Sequence, residues 1–316
     1  MAFETPPGPK NPVDPNSGDI QMKNETKMTL LMLMATVFWA GAFITGKMGV
    51  YALSPLVLTF LRMFFAAVII FPIMVLTEKD NWRIKASSIK YAVLTAGVGM
   101  IGYHMFFFYA LRYTDASKAS MINAINPLLT ALLAVVFLGE KLTSRKVLFI
   151  LTAFIGVVLT LSNWNLGRIL SFDLNIGDLL MLCGAMMWAT YGIIVKRIMP
   201  FFTPLKLTTY TFLFSSMMLF PFTAKELLYL DYMQIGWKPF LAVIYMAIFP
   251  SVIGYTIQQT AIKELGAGKT ALFINLVPVI STIFAVIFLG EKLFKLNIVS
   301  GAIIIVSVIL FRKQKV

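Results

Sequence analysis

The chain has 316 residues, of which 59% are hydrophobic and only 13% are charged, and its mean hydropathy is +0.84. An ordinary soluble domain carries about 25% charged residues, so this composition predicts an integral membrane protein. The formal charge of +13 does not indicate nucleic-acid binding, because the basic residues stand singly or in small groups between apolar runs. A single cysteine and a single histidine exclude an internal disulfide framework and a zinc site of several Cys and His ligands, and we expect no metal or other cofactor.

The first 27 residues differ from the rest of the chain, because they are rich in proline and polar residues and lack the apolar centre of a signal peptide. They predict a disordered cytoplasmic tail. From Met28 onward, apolar runs long enough to cross about 30 Å of hydrocarbon follow one another without alternating polarity, which predicts helices and not a closed barrel. The sequence predicts ten membrane helices, at 29–49, 55–76, 89–110, 116–138, 146–162, 178–198, 206–223, 239–260, 267–289 and 295–311.

Lysine and arginine predict the orientation of these helices. With the amino terminus inside, eighteen basic residues fall in the inner tails and loops and eight on the outer side. Positive charge is enriched in cytoplasmic loops, so we expect both termini in the cytoplasm of a multi-pass protein of the cell membrane.

The motif FLGEKL occurs at 137–142 and again at 288–293. Shifting residues 116–142 by 151 positions gives eleven identities in 27 positions, and FWAGAFITGK matches MWATYGIIVK at a shift of 149. The chain is therefore predicted to be a duplicated five-helix unit. Because five is odd, the second copy enters the membrane from the opposite side, an arrangement typical of secondary transporters.

These segments, together with LRMFFAAVIIFP and ALRYTDASKASMINAINPLLTALLAVVFLGEKL, resemble the drug/metabolite transporter superfamily, in its ten-helix EamA-like family. The resemblance covers about residues 30–311. It implies two inverted five-helix bundles around a central cavity, alternating access, and most often the export of amino acids or related metabolites. The predicted organisation is a tail at 1–27, a first repeat at 28–162, a linker at 163–177 and a second repeat at 178–316.

Two prolines mark the predicted transport site. Pro127 and Pro278 occupy matching positions near the middle of the fourth and ninth spans. Proline removes an amide donor and frees a backbone carbonyl, and helices interrupted at matching repeat positions point to a binding site. We expect the two prolines to contribute to gating and the neighbouring amides to line the cavity, namely Asn123, Asn126 and Asn275. The alternative is that the prolines kink helices for packing and the amides bond between helices.

Aromatic and ionisable residues add further candidates. Trp39 and Trp188 lie near the centres of equivalent spans, although tryptophan prefers the headgroup level. His104 is a titratable group deep in the third span, so it is a candidate for substrate contact or proton coupling, with helix packing as the alternative. The remaining substrate-binding candidates lie on the sixth and eighth spans: Tyr191, Tyr255 and Gln258.

Charged residues near the span ends receive structural predictions. Arg62 is placed near the outer end of the second span, where it could snorkel to the interface, and Lys47 is predicted to anchor the first span. The FLGEKL motif is predicted to end a helix at its glycine and to mark the interface with Glu-Lys. The alternative is that Glu140 or Glu291 gates by pairing with a basic neighbour in one access state.

The sequence and the resemblance therefore predict a secondary transporter that exports small neutral or zwitterionic metabolites, amino acids or related compounds, by alternating access. The predicted partners are a small-molecule substrate and the lipid bilayer, with no nucleic acid. A homodimer is left open. A nucleotide-sugar or sugar-phosphate exchanger is the main alternative, although the ninth span has no Lys or Arg between Lys269 and Lys292. An intramembrane enzyme is disfavoured because no Asp or Glu lies well inside a span, and a passive pore is a third alternative.

Overall fold

The computed structural model describes residues 17–139, 143–165, 167, 174–258, 260–261 and 273–313. In this part of the chain the regular structure is entirely helical. Ten helical segments correspond to the ten predicted spans. They are α1 Ser17–Gly49, α2 Pro55–Glu78, α3 Ala86–Tyr113, α4 Ala116–Phe137, α5 Ser144–Ser162, α6 Ile176–Ile198, α7 Pro204–Leu228, α8 Lys238–Gln258, α9 Val277–Leu289 and α10 Lys295–Lys313.

Seven of these segments, α1 to α6 and α8, contain apolar helices long enough to cross a membrane by themselves. The described parts of α9 and α10 are shorter apolar helices, and α7 has 25 residues with Lys206, Lys225 and Glu226 near its ends. The protein is an all-helical integral membrane protein, as predicted.

One boundary differs from the prediction. We expected disorder up to residue 27, but α1 begins at Ser17, so the described part of that tail is helical. Once a membrane helix exists, each residue added to it gains one backbone hydrogen bond without a new nucleation step. Residues 1–16 of the predicted tail lie outside the described residues.

Equivalent helices begin and end in the same way in the two halves. Ser54 and Thr203 cap α2 and α7 by accepting a hydrogen bond from a backbone amide, and in both helices a proline follows the cap. Gly139 and Gly290 end α4 and α9 with φ of +68° and +66°, the left-handed conformation that glycine adopts without strain. The prediction that the glycine of FLGEKL stops a helix is confirmed.

Helix packing follows the repeat. Helices α2 and α7 pack on each other, as do α5 and α10, and as do α4 and α9. The contact of α3 with α6 has its counterpart in α8 with α1, and the contact of α4 with α6 has its counterpart in α9 with α1. The two five-helix units are therefore related by an approximate two-fold axis.

Contacts at the helix ends show that the two units are inverted. The carboxylate of Glu291, just after α9, accepts hydrogen bonds from the backbone amides of Ala116 and Ser117 at the start of α4. Lys47, near the end of α1, belongs to the same hydrogen-bonded cluster as Asp178 at the start of α6. Since α4 and α9 are equivalent, and α1 and α6 are equivalent, each pair runs antiparallel, as the odd number of helices predicts.

Regular α-helix is interrupted at equivalent positions of the two halves. A π-helical segment spans Ala96–Gly102 in α3 and Ala247–Ile253 in α8, which are related by the shift of 151. Helix α4 is broken at residues 124–125, and the chain before α9 is broken at 275–276. Pro127 and Pro278 each lie two positions after the last residue of the break. Each proline lies in the first turn of the helix that follows, where its missing amide leaves no lost bond.

Candidate functional site

Arg62 is the most unusual residue in the interior. It lies about 10 Å along α2 from the first residue of that helix. The predicted snorkelling is wrong, because the side chain is only 4% exposed and faces the other helices. Its Nε donates a hydrogen bond of 3.1 Å to the hydroxyl of Ser251 on α8. The sequence prediction failed because it used only the depth of Arg62 along the helix and not the face on which it lies.

The π segment of α8 explains how Ser251 is held. Pro250 has no amide hydrogen, so it cannot donate to the carbonyl of Met246 four residues earlier. In the π segment the bonding amide comes from five residues on, at Ser251, and the hydroxyl of Ser251 also donates to this carbonyl, at 2.8 Å. Ser251 is thereby fixed to accept from Arg62, and the irregular helix determines where the guanidinium lies.

Tyrosines from two helices lie near this arginine, and aromatic residues of a third helix pack against them. Tyr103 of α3 and Tyr245 and Tyr255 of α8 lie within electrostatic range of its guanidinium. Trp188 of α6 packs against Tyr103, Tyr191 and Tyr255, with ring centroids 4.8, 5.0 and 6.0 Å apart. We call Tyr103, Trp188, Tyr191 and Tyr255 the aromatic wall. The structure thus brings Trp188, Tyr191 and Tyr255 together, as members of the predicted site.

Glycines provide the space for these rings. A Cβ on Gly99 of α3 would lie 2.2 Å from the ring of Tyr191. On α8, a Cβ on Gly254 would lie 2.9 Å from the indole Nε1 of Trp39, and that Nε1 donates to the carbonyl of Pro250 at 3.1 Å. Gly99 and Pro250 are equivalent under the shift of 151. Trp39 therefore joins α1 to the irregular part of α8, and it does not pack on Trp188.

The amides beside the helix breaks have different environments. Asn126 Nδ2 donates to the carbonyl of Ala185 on α6 at 2.8 Å, so this amide bonds between helices. The buried Oδ1 of Asn123 and the buried Nδ2 of Asn275 have no hydrogen-bond partner in the described residues. Unsatisfied buried polar atoms are rare and cost about 1–3 kcal/mol each, so a hydrogen bond from a ligand would remove this cost at either atom.

His104 is 1% exposed and its Nδ1 lies 2.9 Å from the carbonyl of Met100, in the π segment of α3. A carbonyl can only accept, so the hydrogen of this bond is on Nδ1. The ring packs against Tyr103, Phe107 and Phe108. Gln258, the remaining candidate of α8, is half-buried.

A group of hydrogen-bonded polar residues lies at one end of the helix bundle. Asp178 is fully buried, and its two carboxylate oxygens accept from Thr114 Oγ1 and Lys118 Nζ, each at 2.5 Å. Lys47 Nζ donates to the carbonyl of Thr114 at 2.6 Å. Lys47 is therefore buried in a network and is more than an anchor. We call these four residues and Glu291 the polar cluster.

Glu291 joins the polar cluster to the second FLGEKL motif. Its carboxylate accepts from Ala116 N at 2.7 Å, from Ser117 N at 3.1 Å and from Ser117 Oγ at 2.5 Å. The alternative prediction named a basic partner for this carboxylate, but the partner is the positive amino-terminal end of a helix. The equivalent Glu140 lies outside the described residues.

Some residues of the site were not predicted from the sequence. Ser251, Tyr103 and Tyr245 carried no signal by themselves, because single serines and tyrosines are common in membrane helices. Pro250 was the available signal, since a proline inside an apolar span indicates an irregular helix. No group of His, Cys, Asp and Glu able to hold a metal ion occurs in the part of the chain that the structure describes.

Two inverted five-helix units, with irregular helices at equivalent positions beside buried polar groups, define a membrane transporter. The chain belongs to the EamA-like transporter family, whose model matches residues 26–162 and again residues 175–312. The resemblance found in the sequence is thus confirmed, and the protein is a multi-pass integral membrane protein.

Relatives and solved structures agree with this family. The chain is 34% identical to the uncharacterized transporter YyaM of Bacillus subtilis (strain 168), over 89% of this chain and 92% of the relative. It is 25% identical to a probable terminal-alkyne amino-acid exporter of Streptantibioticus cattleyicolor, over 92% and 94%. It is 24% identical to a probable amino-acid metabolite efflux pump of Escherichia coli (strain K12), over 88% and 92%. One crystal structure has the same fold, with a TM-score of 0.62 at 19% identity over 90% of this chain and 96% of the other.

Proposed function

We propose that this protein is a secondary transporter that moves small neutral or zwitterionic metabolites, amino acids or related compounds, across the cell membrane by alternating access, in the direction of export. The observation that carries the proposal is the pairing of irregular helices. The π segments of α3 and α8, and the breaks in α4 and before α9, occupy equivalent positions in inverted units. Inverted repeats with interrupted helices form the substrate sites of many secondary transporters.

The composition of the site supports a small organic substrate. The aromatic wall offers apolar surface, while the free amide atoms of Asn123 and Asn275 offer hydrogen bonds. Two relatives bear names that refer to amino-acid export, which supports the same substrate class and the direction of transport.

Alternating access requires a barrier that can form on each side. The polar cluster supplies a barrier at one end of the bundle, because it ties together the ends of α1, α3 and α9 and the starts of α4 and α6. With the orientation that the basic residues predict, this end faces the outside. In this proposal Glu291 acts as a gate residue, and Pro127 and Pro278 contribute to the movement of α4 and α9.

Counterflow in proteoliposomes tests the function. Vesicles that contain the purified protein are loaded with an unlabelled amino-acid mixture and diluted into a trace of the labelled mixture. A carrier accumulates label transiently above its equilibrium level and saturates with concentration. Equilibration without this overshoot indicates a pore, and no uptake above protein-free vesicles contradicts transport of amino acids.

A further inference from the structure

A buried arginine needs a counter-charge, and Arg62 has none in the described residues. The only ion pair within 4.0 Å in this part of the chain joins Lys118 to Asp178. Arg62 makes one side-chain hydrogen bond, from Nε to the neutral Ser251, and its two Nη groups donate to no other described residue. An ionised side chain inside the membrane is expensive, so such residues pair with other groups or mark the path of a substrate.

The position of Arg62 is nevertheless fixed. Ser251 accepts from Nε, and the hydroxyl of Ser251 itself donates to the carbonyl of Met246 at 2.8 Å. The bond to Nε leaves the two Nη groups of the planar guanidinium available. A guanidinium binds a carboxylate through two parallel N–H···O bonds, which gives affinity and orientation together.

The arginine also departs from the symmetry of the scaffold. When the capped starts of α2 and α7 are aligned at the shift of 149, Thr211 takes the place of Arg62. Thr211 is satisfied by a hydrogen bond of 2.9 Å to Thr95. Helix packing needs no cation at this position, since the second unit packs without one.

Tyr103 connects the surroundings of the arginine to a further polar side chain, that of Asn123. The hydroxyl of Tyr103 is within electrostatic range of Arg62 and also approaches the side chain of Asn123. The Oδ1 of Asn123 is a buried acceptor without a hydrogen-bond partner in the described residues. Tyr103 therefore interacts with both Arg62 and Asn123, and its ring packs against Trp188.

We propose that Arg62 binds the carboxylate of the substrate, that Asn123 accepts a hydrogen bond from its ammonium group, and that the aromatic wall packs against an apolar side chain. This inference rests on the proposed function and narrows its substrate class to α-amino acids with apolar or aromatic side chains. The substrate carboxylate supplies the counter-charge that Arg62 lacks.

The first test varies the ligand and leaves the protein unchanged. Thermal stabilisation of the purified wild-type protein is measured with L-phenylalanine, L-leucine, L-phenylalaninamide and 2-phenylethylamine, since binding to the folded state raises the unfolding temperature. We expect stabilisation by the two amino acids. The amide and the amine, which have no carboxylate, should bind at least about tenfold more weakly, because they leave a buried charge unpaired. Equal binding of phenylalanine and its amide overturns the inference.

The second test varies the protein. In Arg62→Gln, phenylalanine should lose at least about tenfold in affinity, while phenylalaninamide should change little, so that the preference for the carboxylate disappears. Arg62→Lys keeps the charge without the planar pair of donors and should retain part of the preference. Ser251→Ala should weaken the preference by releasing Nε. Ser215→Ala is the matched control, because Ser215 is equally buried and bonds only to the carbonyl of Phe212.

The outcomes separate the inference from the proposed function. Counterflow of amino acids that Arg62→Gln leaves unchanged overturns the inference and keeps the function. Carboxylate-selective binding without any counterflow supports the inference and contradicts the function. Stabilisation by glucose 6-phosphate that depends on Arg62, without stabilisation by amino acids, overturns the inference in favour of a phosphate ligand. If Arg62→Gln does not fold, the comparison of ligands on the wild type decides.

Discussion

Single residues set the geometry of the candidate site through small departures from regular structure. Pro250 lacks an amide hydrogen and lies where α8 takes π spacing, and beside it the hydroxyl of Ser251 donates to the carbonyl of Met246 and accepts from Arg62. Gly99, at the equivalent position of the other unit, lacks a side chain and admits the ring of Tyr191. Two different residue types therefore serve the same irregular position, one by removing a hydrogen bond and the other by removing volume.

The space at Gly99 gives a prediction about stability. Gly99→Ala places a Cβ 2.2 Å from the Tyr191 ring, so the aromatic wall has to shift. Overpacking of this kind costs about 1–3 kcal/mol, and we expect a lower unfolding temperature together with weaker ligand binding. The measurement is thermal unfolding with and without ligand. Gly97→Ala is the control in the same π segment, because its nearest neighbour is the Cε of Met218 at 4.0 Å; equal effects of the two variants would contradict the packing argument.

Irregular helices are the elements that distinguish this fold from a simple bundle. The breaks in α4 and before α9 are predictable from Pro127 and Pro278, because proline acts on the backbone wherever it stands. The π segments of α3 and α8 are not predictable in this way. A π turn adds one residue to a helix without changing its hydropathy, so an apolar run looks the same with or without it.

The prolines at the breaks give a prediction about movement. Pro127→Ala and Pro278→Ala should fold and insert, but each should lose most of the exchange rate, because a continuous helix is stiffer than two half-helices with a hinge. Initial rates of counterflow, corrected for the amount of reconstituted protein, measure the effect. Pro72→Ala and Pro221→Ala are matched controls, since these prolines lie inside α2 and α7 and are exposed on the surface of the bundle. If all four variants lose the rate equally, or none does, the breaks have no special function in transport.

The arrangement of helices in the whole molecule could be predicted from the sequence, whereas the contacts of its buried polar residues could be predicted only in part. Hydropathy gave ten helices, and the repeated FLGEKL motif gave their inversion, since both signals extend over many residues. The burial of Arg62 and the capping of α4 by Glu291 depend on which helices pack against each other. A single sequence does not show this packing. The polar cluster was not predicted for the same reason, because its members lie on five different helix ends.

The polar cluster gives a prediction about access. In a Cys183→Ser background, Ser120→Cys places a thiol one turn inside the cluster, where the native side chain is buried. Glu291→Gln weakens the cap on α4, since a neutral amide replaces the carboxylate at the helix dipole. We expect several-fold faster labelling of this thiol by an impermeant maleimide added outside. Lys292→Gln, at the exposed neighbouring residue, should leave the rate unchanged.

Two results would contradict this view of the polar cluster. Labelling of the Ser120→Cys thiol only from the cytoplasmic side would reverse the orientation that the basic residues predict. An unchanged labelling rate in both Glu291→Gln and Asp178→Asn would show that the cluster supports the fold without controlling access.

The matching π segments at Ala96–Gly102 and Ala247–Ile253 bear on the history of the protein. The same extra residue at the same place in both halves is most simply inherited from one ancestral five-helix gene that already contained it before duplication. A symmetric pair of identical subunits made by such an ancestor would have required half of its copies to insert in each direction. Fusion into one chain removes that requirement, and it allows the two halves to differ, as they do where one has an arginine and the other a threonine.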